Sequence, residues 1–99
     1  MTARAKAQET TIAEAAELRL ATENVCLASM RTELDVVRTT CLLAEQEDGE
    51  KRTRHIQLAE RALKSVLEIV KRVAPNQQDR RDIEEALHSI HQLGGRDFS

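Results

Sequence analysis

Leucines recur every seven residues at Leu20, Leu27 and Leu34, and the same register carries Ala13 before them and Cys41 after. Ala16, Met30, Val37 and Ala44 interleave three residues later. Alternating steps of three and four residues keep one side of an α-helix apolar while it winds along another helix, which is the seam of a coiled coil. A strand would instead need every second residue apolar. The spacing therefore commits this stretch to one long helix that must find helical partners.

The rest of the chain offers nothing that competes with helices. Phe98 is the only aromatic among 99 residues, so a core has to come from Leu, Ile, Val, Ala and Met. At this length one helical unit spanning residues 1–99 is expected, without room for a catalytic domain beside a regulatory one. No 34-residue helical repeat occurs, because the features of Ala59 to Pro75 have no second copy.

The first helix is expected over about residues 3–47, starting early although Thr11-x-x-Glu14 also has capping-box spacing. Residues 12–47 contain neither Gly nor Pro, and Asp48-Gly49 supplies the turn. A second helix is expected over about 50–73, with its seam at Ile56, Ala59, Leu63, Val66, Val70 and Val73 and with Pro75 ending it. Asn76, with Asp79 three residues on, offers an N-cap to a third helix over about 77–93. Gly94-Gly95 stops that helix, and residues 94–99 are expected to form a mobile tail.

The two seams match in opposite directions if helix 2 folds back along helix 1. Ala44 falls opposite Ile56, Cys41 opposite Ala59, Val37 opposite Leu63, Leu34 opposite Val66, Met30 opposite Val70 and Leu27 opposite Val73. Each pair of residue numbers sums to 100, so the turn centres on Glu50, beside the Gly49 that turn chemistry singles out by itself. The fold class expected is all-α, a helical bundle built on a long antiparallel hairpin plus a shorter third helix.

This register leaves the start of helix 1 without a partner. The next seam position is Glu23, whose counterpart would lie beyond Pro75, so Ile12, Ala13, Ala16 and Leu20 overhang by roughly 30 Å. A second apolar stripe, at Leu18, Val25, Val36 and Leu43, lies nearly opposite the first. Ile12, Ala16, Leu18, Leu20, Val25 and Leu27 are the candidate interaction residues, because an exposed apolar stripe marks a binding surface. The alternative is a break near Thr22-Glu23-Asn24 that lets the first part fold back as a fourth helix.

Charge is divided along the chain although the total is only −2. Residues 9–49 carry three basic and nine acidic groups, whereas residues 50–74 carry seven basic and three acidic groups. An acidic helix followed by a basic one suggests attraction within the chain, modest and screened by salt. Arg52, Arg54, Arg61 and Lys64 on helix 2 are the residues of the alternative reading, a nucleic-acid surface. No aromatic within the helices is available to stack bases, which disfavours it.

Chemistry finds few footholds. Glu85-x-x-His88 and His88-x-x-His91 share a helix face, but a di-metal carboxylate site needs a second Glu-x-x-His and two more glutamates. Neither a metal site nor any cofactor is therefore expected. Cys26 and Cys41 lie fifteen residues apart on one helix, about 22 Å, too far to bridge, and are expected to be free thiols. No Gly-rich phosphate loop and no G-x-S-x-G occurs, so no catalytic residues and no enzymatic activity are expected. The start, MTARAKAQETT, has no apolar signal segment, and no membrane span appears, so a cytoplasmic protein is expected.

The functional expectation is a small non-catalytic interaction module, an adaptor, scaffold or inhibitor. Its expected partner is a second copy of itself, making a homo-oligomer with a dimer as the simplest form, or a different protein.

Overall fold

A computed structural model of the chain describes the backbone of residues 2–94 and the side chains of residues 12–94. It contains three helices, α1 (Thr2–Glu45), α2 (Gly49–Val70) and α3 (Gln77–Gln92), and no strand among the described residues. The architecture is the all-α bundle read from the sequence, a long helical hairpin joined by a third helix. The early start of α1 agrees with the chain, whereas residues 95–99 of the expected tail lie outside the described residues.

Helix α1 runs unbroken through Thr22-Glu23-Asn24, so the fold-back arrangement is not adopted. Its C-terminal end is two residues shorter than expected. The N–H of Gln46 donates to Leu43 O at 3.1 Å and that of Glu47 to Ala44 O at 3.3 Å, tightening the last turn as unsatisfied terminal carbonyls commonly require. Gly49 then takes φ of +64°, which an L side chain rarely adopts, and α2 begins there.

Helix α2 ends at Val70, three residues before the expected Val73. The N–H groups of Arg72 and Val73 both donate to Ile69 O, at 2.9 and 3.1 Å, closing the chain before Pro75 rather than continuing the helix. Asn76 caps α3 as its position suggested. Its side chain accepts from the Asp79 N–H at 2.7 Å, and its own N–H donates back to the Asp79 carboxylate at 3.3 Å, a reciprocal capping box. Gly94, at φ +82°, closes the other end.

The seam residues make the core. Met30, Val37, Ala44, Ala59, Leu63 and Val66 are fully enclosed, with Leu34 and Cys41 nearly so. Ile56, Val70, Val73 and Leu27, the remaining members of the six opposed pairs, are half-buried. Each fully enclosed Leu or Val contributes roughly 1.5–3 kcal/mol relative to an exposed one. Ile83, Ala86 and Ile90 of α3 complete the cluster, and Leu67, Leu87 and Leu93 pack at its edge.

Helix α3 begins beside Arg31 and ends where Arg52 reaches Leu93 O, so it runs parallel to α1 and antiparallel to α2. Its cross-connections fall between Arg31 and Ala44 along α1, which bounds the three-helix section. Core contact along α1 begins at Leu27, and the 25 residues before it, from Thr2 to Cys26, continue beyond the bundle for about 37 Å as a lone helix. The chain is accordingly elongated, 71 × 23 × 17 Å.

Candidate interaction surface

Every described residue from Ile12 to Val25 is exposed. Ile12, Leu18, Leu20 and Val25 leave 61–71 % of their surface to solvent. Ala16 is exposed with them, while Leu27 packs half-buried against the core at the point where the lone helix meets the bundle. Of the six candidate residues, five therefore belong to the free segment and Leu27 joins it to the core.

At about 100° per residue, these positions fall on two faces. Ile12, Ala16 and Leu20 continue the line of Leu27 and Met30 that α2 covers higher up. Leu18 and Val25 lie on the reverse side, in line with Val36 and Leu43, which stay 39 % and 40 % exposed beside the bundle. The helix thus carries an interrupted seam and, behind it, a stripe that reaches past the lone segment onto the back of the bundle.

The junction of α1 and α3 holds the best-organised polar cluster. Arg31 donates from Nε and Nη2 to the two carboxylate oxygens of Asp79, at 3.1 Å each. Arg38 bridges Asp35 on its own helix at 3.5 Å and Asp82 on α3 at 2.9 Å. These side chains line a shallow groove of about 340 Å³ together with Leu34 and Asn76. Asp79 is buried, and the Arg31 guanidinium hydrogen-bonded to it holds its carboxyl below the usual aspartate range, against the opposing effect of burial. Each charge in the groove is turned toward another, which makes the cluster a clasp between helices. The sequence reading missed it, although Arg31 and Arg38 stand seven apart and Asp79 and Asp82 three apart, spacings that keep each pair on one helix face.

Arg52 stands apart from the other basic residues of α2. Arg52 is half-buried and donates to Ala44 O at 3.1 Å and Leu93 O at 3.4 Å, so it ties the turn end of α1 to the end of α3. Arg54, Arg61 and Lys64 are exposed and fall within about 80° of one another on one face of α2. Glu50 and Glu68 share the face of Arg54 and Arg61, and Glu68 pairs with Lys71 at 3.0 Å. His55 meets Glu47 across the turn.

Cys26 and Cys41 are both free thiols. Burial, and secondarily the charge of Glu45, pushes the Cys41 thiol up, away from the depressed pKa of a nucleophile. Glu85, His88 and His91 lie on α3, and no group of three His, Cys, Asp or Glu side chains placed to hold a metal occurs among the described residues. None of the described helices is long and apolar enough to cross a membrane. No protein-family model matches the chain, and no curated protein or solved structure matches it either.

Proposed function

We propose that this chain is a non-catalytic interaction module that self-associates through the N-terminal half of α1. One observation carries the reading. A helix that ends its own bundle contacts near Leu27 continues for 25 residues with Ile12, Leu18, Leu20 and Val25 exposed. A lone helix is marginal in water, and one bearing large apolar side chains gains stability when another surface covers them. The polar groups of the bundle are meanwhile engaged in holding it together, as Arg31, Arg38 and Arg52 illustrate.

The experiment is removal of residues 1–22. The shortened chain keeps its core and should still unfold cooperatively, while its mass in solution should fall toward that of one chain at concentrations where the parent associates. Loss of cooperative unfolding would mean that the segment supports the bundle itself. An unchanged oligomer would mean that association uses another surface.

A further inference from the structure

The rear stripe of α1 reads the same in both directions and, unlike the front seam, carries no charge between its ends. Leu18, Val25, Val36 and Leu43 are spaced by seven, eleven and seven residues, a palindrome. At about 100° per residue the four lie within about 20° of one another, because eighteen residues make five whole turns. They remain 67, 64, 39 and 40 % exposed. A palindromic row on a straight helix sets an apolar residue against an apolar residue at every position of a reversed copy, so an antiparallel two-fold pair covers all four.

Between Leu18 and Leu43 charge is excluded from the same face, which Glu14 bounds one turn before Leu18. The charged residues between Leu18 and Leu43 are Arg19, Glu23, Arg31, Glu33, Asp35 and Arg38. The nearest to the stripe are Glu33, about 70° to one side, and Asp35, about 90° to the other. Ala28, Ser29 and Thr32 fill the middle, small enough for two helices to approach closely. The front seam is different, since Arg19 and Glu23 interrupt it within the lone segment.

We propose that α1 binds a second copy of this chain back to back and antiparallel, Leu18 against the partner's Leu43 and Val25 against the partner's Val36. The two-fold axis passes at the height of Met30 and Arg31. The proposal rests on the self-association reading above and specifies its surface and direction. Each lone segment then lies along the rear of the other copy's bundle, the supported part of α1.

The flanking acids select the direction. In a parallel pair, Glu33 would stand beside the partner's Asp35 at nearly the same height, and this acid-to-acid approach would occur twice. Reversal sets Glu33 near Cys26 and Ser29 of the other copy, and Asp35 near Asn24 and Ala28, all uncharged. Antiparallel helix dipoles add a small gain.

The test uses the full chain and three variants, Val25→Glu, Val36→Lys and the double substitution. Both residues are exposed, so helix content and melting cooperativity by circular dichroism should match the parent. Each single variant puts a charge against an apolar partner and should weaken the dimer about tenfold or more in concentration-dependent light scattering. The double variant sets the carboxylate introduced at position 25 against the ammonium introduced at position 36 of the other copy, and should recover most of the lost affinity. Within one chain these two positions are eleven residues, about 16 Å, apart and cannot pair. Small-angle scattering of the dimer should give a length of about 86 Å, set by the offset of two α1 helices about the axis. A dimer that tolerates both single variants would overturn this interface while self-association stood. Loss without recovery in the double variant, with a length near the 71 Å of one chain, would overturn the antiparallel direction. A monomeric parent chain would remove the self-association reading as well.

Discussion

Arg31 of α1 and Asp79 of α3, 48 positions apart, meet in a two-point ion pair with both N···O distances at 3.1 Å. The same Asp79 carboxylate accepts from the Asn76 N–H, so one side chain caps α3 and anchors it to α1. A buried carboxylate is costly unless its oxygens are hydrogen-bonded, and three donors reach this one. The clasp sits at the level where α2 ends and the lone part of α1 begins.

Asp79→Ala removes the reciprocal half of the capping box and the ion pair together. Stability should fall by about 1–3 kcal/mol, read as a lower urea midpoint with an unchanged slope. Asp79→Asn keeps an acceptor for the cap but loses the charge, and should fall between the parent and the alanine variant.

The pH dependence follows from the same contact. Asp79 titrates lower in the folded chain than in the unfolded one, chiefly through the Arg31 hydrogen bonds. Its contribution is therefore fully present above the ordinary aspartate value, declines as the pH falls below that value, and is gone once the pH has passed the depressed folded one. Urea midpoints measured between neutral pH and pH ~3 should drop less steeply for Arg31→Met than for the parent. Parallel profiles would show that the pair contributes nothing to acid sensitivity.

Core and lone segment should respond differently to truncation. Leu63→Ala, at a site with no exposed surface, should cost about 2–5 kcal/mol. Leu20→Ala, at a position 61 % exposed and off the rear stripe, should change unfolding by less than about 0.5 kcal/mol. Equal effects in chemical denaturation would mean that the segment is part of the cooperative core.

The hairpin was legible because its register is written in local spacing. Heptads in both helices, a Gly-containing turn and a proline stop all point to Val37 opposite Leu63, and both are fully enclosed. The Asn76 cap was legible for the same reason. The placement of α3 was not, since nothing local specifies which groove a short amphipathic helix enters. Reading charge in blocks pointed to attraction between an acidic α1 and a basic α2. Arg31 and Arg38, cations within the acidic block, instead engage the acids of α3, because position on the helix outweighs the block total. Among the candidate interaction residues, exposure of Leu20 followed from where Pro75 ends the hairpin, whereas Leu18 and Val25 lie on the rear face, which stays exposed beside the bundle as well. The half-burial of Leu27 marks that boundary.

Arg52 offers a check on the alternative surface. Its guanidinium serves Ala44 O and Leu93 O, so Arg52→Gln should lower stability by about 1 kcal/mol. Arg54→Glu and Arg61→Glu, at exposed positions, should stay within about 0.5 kcal/mol of the parent. Salt-dependent retention of labelled RNA or DNA that Arg54→Glu and Arg61→Glu abolish would instead assign α2 a nucleic-acid role.

Self-association is tested most directly by the mass in solution. Light scattering after size exclusion, under reducing conditions and across a range of concentrations, should find a mass approaching twice the 11.2 kDa of one chain as concentration rises. A mass of one chain at every concentration would contradict the proposal that α1 carries a self-association surface.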